Sequence, residues 1–236
     1  MNALKDIKLY TTQSHPCSYL PGQVARTLFI DPELAVSTRV HTQLSELGFR
    51  RSGAHIYRPH CDNCQSCIAC RVLVDSFVPN RRFRRIQRRN ADLSVSRSET
   101  IAGSEYFDLY ARYINTRHRD GDMYPATREQ YDSFLGITCE STRYFTIRDQ
   151  HEKLLGVIIC DHLDNALSAV YTFYDPEQPG RSLGNFAILW QIAQARHLNL
   201  PYLYLGYWIR DCAKMKYKSE FRPLQMLINS RWMLVN

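Results

Sequence analysis

Apolar residues along this chain follow the period of a helix in some stretches and that of a strand in others, and the changes of period mark out its elements. Over 105–118, Tyr106, Leu109, Tyr110 and Tyr113 recur at i, i+3, i+4 and i+7, which is one face of a helix. Thr127, three residues ahead of Gln130, makes a capping-box start for a second helix that ends at Gly136. The segment from Leu93 to Arg97 alternates and predicts a strand. Apolar runs at 143–148, 154–160 and 167–174 predict three more, turned by Asp149-Gln150-His151 and by Asp164-Asn165. A helix over 184–197, a strand over 202–205, a short helix near 211–218 and closing strands around 223–229 follow. Earlier in the chain the pattern predicts a strand near 27–30 and a helix over 38–47. That helix carries Val40, Leu44 and Leu47 on one side and stops at Gly48. A strand near 55–57 and an apolar run at 72–78 complete this part.

From Leu93 onward the order is β-α-α-β-β-β-α-β-α-β. It resembles the GCN5-related acyltransferase fold over roughly residues 92–236. The resemblance implies two central parallel strands that splay apart, with the acyl donor in the gap between 167–174 and 202–205. The expected class is α+β: a GCN5-related acyltransferase-like domain at 92–236 behind a smaller, cysteine-rich and basic α/β domain at 1–91. Acetyl-CoA enzymes of that fold hold the pyrophosphate on backbone N–H groups at a helix start, in the pattern Arg/Gln-x-x-Gly-x-Gly/Ala. The first amides of a helix have no partner within it and so take anions. Here Arg181-Ser182-Leu183-Gly184-Asn185-Phe186 keeps the arginine and the first glycine. Phe186, however, stands where a small residue would let the backbone approach. An acetyl-CoA-dependent N-acetyltransferase is one reading of this loop; a different acyl donor is the other.

Charge sharpens the picture. The formal net charge is +7, yet seven arginines (71, 81, 82, 84, 85, 88 and 89) and one acid, Asp75, fall between Arg71 and Asn90. On a helix, Arg81, Arg82, Arg84, Arg85, Arg88 and Arg89 occupy an arc of about 160°, with Phe83 and Ile86 on the other side. Guanidinium groups match phosphate oxygens two at a time, so this face is a candidate surface for RNA, tRNA in particular, with no DNA partner expected. Hydrophobic residues make up 44% of the 236, enough for a packed core. No run approaches the roughly 18 apolar residues that cross a bilayer, and the first residues lack the pattern of a secretion signal. We expect a cytoplasmic protein without a membrane partner. There, clustered cysteines point to metal rather than disulfides. Cys61, Cys64, Cys67 and Cys70 are spaced as thiolate ligands of zinc or of an iron–sulfur cluster. A non-enzymatic RNA-binding zinc protein would share these features but leave the second half of the chain without a task.

Several segments resemble bacterial aspartate/glutamate leucyltransferases. They are Cys17-Ser-Tyr-Leu-Pro-Gly-Gln, Gly48-Phe-Arg-Arg-Ser-Gly, Tyr57-Arg-Pro, Pro79-Asn-Arg-Arg-Phe-Arg-Arg, Tyr171-Thr-Phe-Tyr-Asp-Pro, Leu205-Gly-Tyr-Trp-Ile and Lys214-Met-Lys-Tyr-Lys. The resemblance runs almost end to end. It implies leucyl-tRNA as donor, proteins beginning with Asp or Glu as acceptors, kinship with the eukaryotic arginyl-tRNA–protein transferases, and a part in N-end rule degradation. Arginine as donor remains an alternative. It also implies a metal set of Cys17, Cys61, Cys64 and Cys67, with Cys61, Cys64, Cys67 and Cys70 as the second choice. Transfer itself would need no cofactor, since aminolysis of an ester runs downhill once the reactants are held together. Asp175, just after the third of the three strands, is the candidate to grip the ammonium or relay its proton. Tyr171 and Tyr207 are candidates to shape the site, and Tyr174 and Tyr217 lie near the gap. Lys214, Lys218 and Arg81 are candidates to read the acidic first residue.

Overall fold

The computed structural model describes residues 7–235. In chain order its elements are β1 (Leu9–Thr11), β2 (His15–Pro16), β3 (Val24–Ala25), β4 (Thr27–Ile30), α1 (Thr38–Glu46), β5 (Arg50–Ser52), β6 (His55–Pro59), β7 (Ile68–Leu73) and α2 (Arg81–Arg89). Next come β8 (Ser94–Ser98), α3 (Ser104–Arg117), α4 (Arg128–Leu135), β9 (Thr142–Arg148), β10 (Leu154–His162) and β11 (Ala166–Tyr174). The chain closes with α5 (Leu183–His197), β12 (Tyr202–Trp208), α6 (Ala213–Lys216), β13 (Leu224–Ile228) and β14 (Arg231–Val235).

Eight strands make one sheet in the order β14-β13-β7-β12-β11-β10-β9-β8. Helices α5 and α2 cover one face over a core that includes Val72, Phe83, Ile158, Leu189 and Leu203. Helices α3 and α4 cover the other over Leu109, Tyr110, Tyr131 and Phe173. The helix start expected at Thr127 holds, with Thr127 Oγ1 accepting from the Gln130 amide at 3.2 Å, and Asn80, which the sequence reading did not name, caps α2 by accepting from the Phe83 amide at 2.9 Å. No helix among the described residues is long and apolar enough to cross a membrane.

Three features differ from the sequence reading. The change of composition at 91/92 does not separate two folding units, because β7 lies inside the large sheet between β12 and β13 and α2 packs on α5. Only Val72 and Leu73 of the apolar run at 72–78 belong to that strand, which begins inside the cysteine run and buries Cys70 completely. The part that stands beside the sheet is a four-stranded layer, β1-β4-β6-β5, with α1 and a small core of Leu28, Leu44, Phe49 and Ile56. At the other end, a strand the alternation did not predict, β14, pairs with β13 across Asn229 and Ser230, whose φ angles of 49° and 61° make the tight turn.

The parallel pair that defines the fold is short. β11 and β12 pair only at Ala166↔Tyr202, Leu167↔Leu203 and Ser168↔Tyr204. Beyond that, β11 follows β10 and β12 follows β7, and each ladder slips register at the parting, at Ile159/Cys160 and at Tyr204/Gly206. Bulges of this kind add twist, and here they turn the strands away from each other. The fork matches the gap expected between 167–174 and 202–205.

β5 docks the small layer against the central strands β10 and β11 of the sheet. The Arg51 guanidinium meets Asp161 of β10 with Nε–Oδ2 at 2.9 Å and Nη2–Oδ1 at 2.8 Å, and both residues are buried. Thr142 donates to the same carboxylate at 3.3 Å, and His41 Nε2 stands 3.8 Å from it. Removing one member leaves a buried charge without its partner, so Asp161→Ala should destabilise the protein by about 3–5 kcal/mol in urea unfolding. Arg51→Met should cost a similar amount, and the double variant about as much as either alone, because the pair acts as a unit. Strictly additive losses would mean the two residues are independent.

Candidate active site

The apex of the fork is filled by Arg50. Along β5, alternate residues point opposite ways, so Arg51 reaches Asp161 while Arg50 reaches the fork. Its Nη2 donates to the carbonyl of Ala169 at 2.5 Å, the first position of β11 past the last parallel pair. Its guanidinium lies over Gly206 of β12, where a side chain would overlap it. Gly206 is glycine for a second reason, its φ of +87°.

Beside Arg50 stands Lys218, which is 6% exposed. Its ammonium donates to the Tyr207 carbonyl at 2.7 Å and lies 3.1 Å from Met215 Sδ. Burial, then the Arg50 charge, pushes this amine down to about 8. Neither Arg50 nor Lys218 forms an ion pair among the described residues.

Tyrosines line the walls. Tyr174 packs against Tyr113 with ring centroids 4.9 Å apart, and Tyr217 comes within electrostatic reach of both from the β12 side. Burial raises the Tyr217 hydroxyl to about 12 and lifts Tyr113 as well, so both stay protonated and keep an O–H to donate. Tyr207 is buried, with its hydroxyl 2.9 Å from the Gly48 carbonyl and 3.2 Å from that of Tyr57. Those partners make it a pin between β12 and the small layer. Tyr171 faces the α3–α4 side, edge-on to Phe134 at 5.1 Å, with its hydroxyl 3.9 Å from Met123 Sδ.

The structure gives other predicted residues different company. The Asp175 carboxylate is fully buried between Arg112 Nη1 and Lys153 Nζ, each at 3.3 Å, and accepts from the Glu177 amide at 3.1 Å. No hydrogen bond or ion pair joins it to Arg50, Lys218 or Tyr217 among the described residues. Lys214 is exposed and holds both oxygens of Asp120 at 2.8 Å, linking α6 to the loop after α3. The half-motif before α5 is occupied from within the protein. Arg181 pairs with Asp92 at 2.8 Å, a side chain at Gly184 would meet the Tyr174 ring at 3.2 Å, and Phe186 is buried in the core. The glycine thus makes room for a tyrosine rather than for a pyrophosphate.

The cysteines divide. Cys17, Cys61, Cys64 and Cys212 all lie near enough to Cys67 to add to the burial that raises its thiol to about 12. Cys70 is apart from them, in the core beneath the fork. Cys64 donates to Ser66 Oγ at 3.4 Å and Cys61 to the Arg26 carbonyl at 3.7 Å. Among the described residues no three histidine, cysteine, aspartate or glutamate side chains stand close enough to share an ion. As placed, the thiols do not fit a metal centre.

The arginine face forms as the spacing predicts. Arg81, Arg82, Arg84, Arg85, Arg88 and Arg89 are exposed on α2, while Phe83 and Ile86 are 1% and 5% exposed. Arg82 pairs with Glu220, Arg89 donates to the Gly180 carbonyl and Arg84 to that of Pro79, which leaves Arg81, Arg85 and Arg88 free of partners among the described residues. Arg71 is not part of this face. It is buried between Tyr202 and Trp232, its Cζ 3.6 and 4.3 Å from their ring centroids, and it donates to Tyr204 and Gln225. Arg50 is the residue the sequence reading passed over. Its segment, Gly48-Phe-Arg-Arg-Ser-Gly, was one that carried the resemblance, but it was not recognised as a strand and nothing in it singled out this arginine.

Comparison with known proteins fits this geometry. The family described as arginine-tRNA-protein transferase matches in two parts, its N terminus over residues 15–85 and its C terminus over 105–228. An aspartate/glutamate leucyltransferase of Teredinibacter turnerae is 54% identical over all of this chain and 97% of its own length. One from Pseudomonas putida is 51% identical over the whole of both chains. Among solved structures, FemX is a distant likeness at 13% identity and a TM-score of 0.45, covering 90% of this chain and 82% of that one. The chain therefore belongs to the arginine-tRNA-protein transferase family, among relatives named aspartate/glutamate leucyltransferases.

Proposed function

We propose that this protein transfers leucine from leucyl-tRNA to the N-terminal amine of proteins that begin with Asp or Glu, in the cytoplasm, and so marks them for N-end rule degradation. End-to-end identity above 50% to proteins of that name carries this reading. In the reaction the amine nitrogen bonds to the leucyl carbonyl carbon, the ester C–O bond breaks, and the amine proton ends on the departing ribose oxygen. No cofactor takes part. An α-amine has a pKa of about 7.7–8.0 and is partly neutral without a strong base, so the protein's task is to hold the reactants and steady the oxyanion. The protonated hydroxyls of Tyr113 and Tyr217 serve as donors to that oxygen. Tyr207 and Tyr171 fix the walls of the fork, and Tyr174 closes the mouth over α5. Asp175 holds Arg112 and Lys153 at the end of β11, two cations suited to the 3′ end of the tRNA. Helix α2 takes the phosphates further along.

Labelled amino acid should pass from leucyl-tRNA to peptides beginning with Asp or Glu and not to those beginning with Lys or Ala. Arginyl-tRNA and acetyl-CoA run beside it as donors. Arginine on the same peptides would change the donor and keep the reaction; acetyl transfer alone would overturn the reading.

Replacing Arg81, Arg85 and Arg88 together by glutamine should weaken tRNA binding and flatten the slope of log K against log salt by about 2. An unchanged slope would remove α2 from the RNA surface. Asp175→Asn should raise the KM for leucyl-tRNA with a smaller effect on kcat. A fall of about 100-fold or more in kcat at constant KM would instead make Asp175 the proton carrier.

A further inference from the structure

Two cations share the apex of the fork. Arg50 comes from the small layer and Lys218 from the turn after α6, so they meet only when the chain is folded. Arg50 gives one donor to the Ala169 carbonyl, and Lys218 gives one to the Tyr207 carbonyl and one to Met215 Sδ. A guanidinium has five N–H donors and an ammonium three, so both have donors to spare. Neither has a carboxylate partner among the described residues, and each charge disfavours the other. Burying like charges together is costly unless an anion sits with them. Burial and the Arg50 charge push the Lys218 amine down to about 8, in line with a cation that lacks its anion.

An anion would meet the pair where the strands have parted, with Tyr217 close to Arg50 and to Tyr174. It must belong to a molecule brought to the ester. On the reading of the reaction given above, one reactant carries a carboxylate a few bonds from its attacking amine. We propose that Arg50 and Lys218 together read the side-chain carboxylate of the acceptor's first residue. The tRNA backbone has its own cations on the exposed face of α2, outside the fork. The pairing does a second task. A positive apex disfavours an ammonium nearby, so the cations that select an acidic first residue also keep its α-amine in the neutral, nucleophilic form. Asn and Gln, of nearly the same shape, would leave both cations unpaired and be rejected.

The test measures transfer to peptides beginning with Asp, Glu, Asn and Gln by the wild type, Arg50→Gln, Arg50→Lys and Lys218→Met, with leucyl-tRNA affinity from filter binding alongside. In Arg50→Gln and Lys218→Met, kcat/KM for the acidic peptides should fall by about 100-fold or more, mainly through KM. The preference for Asp over Asn should collapse, and leucyl-tRNA affinity should hold. Arg50→Lys should keep part of the preference. If Arg50→Gln does not give a cooperative thermal transition, Lys218→Met and Arg50→Lys decide the same ratio. A preserved preference with uniformly slower transfer would overturn the proposal. Loss of leucyl-tRNA binding would overturn it too, by giving the two cations to an RNA phosphate. A wild type that moves no amino acid to any acidic peptide would instead overturn the proposed reaction, before any variant is compared.

Discussion

Two parallel strands that stop pairing after three residues shape everything functional in this protein. A continuous β11–β12 ladder would satisfy its own backbone and leave no opening. By parting, the strands expose carbonyls and amides inside a folded core, where an unmet polar group costs about 1–3 kcal/mol. The fold meets that cost with neighbours on each side: β10 and β7 keep the outer edges paired, and Arg50 takes the first free carbonyl at Ala169. The fork therefore depends on the small N-terminal layer, whose strand β5 delivers the guanidinium. That layer is held in turn by the buried Arg51–Asp161 pair and by the Tyr207 hydroxyl against Gly48 and Tyr57.

The arginines show how one residue type is put to several uses by its surroundings. Arg71 is sandwiched by aromatic rings within the sheet, Arg51 is neutralised across a layer boundary, Arg50 waits in the fork, and the α2 set faces water. Only the last group has a spacing that betrays its position, because a helical face repeats. The others sit on short strands, where neighbouring residues point in opposite directions and each partner lies far along the chain.

The same contrast explains what could be read from the sequence. Long amphipathic helices and apolar hairpins gave the order of elements from Leu93 as far as β13, and the α2 face followed from an angle alone. The boundary at 91/92 did not survive, since composition marks where cysteines and arginines gather and not which strand pairs with which. Cys70 looked like one more ligand in a run of evenly spaced thiols, until the strand beginning at Ile68 carried it into the core. Cys212 had no spacing to the others and yet joins them near Cys67. Asp175 was correctly placed at the end of a strand, but the exposed cations that hold its buried carboxylate, Arg112 and Lys153, lie elsewhere along the chain and left no local trace.

The position of β7 also bears on how such a chain can evolve. A strand from the cysteine-rich segment lies inside the sheet that carries the fork, between β12 and β13. An exchange of gene segments between two relatives at the compositional border would join strand and sheet from different parents, and their side chains would have to interlock along both neighbours. A crossover that keeps the parental pairing must fall upstream of Ile68. Even there the exchange would part Arg50 from the fork it fills, so in this chain the sheet and the segment before it are bound to a shared ancestry at two points.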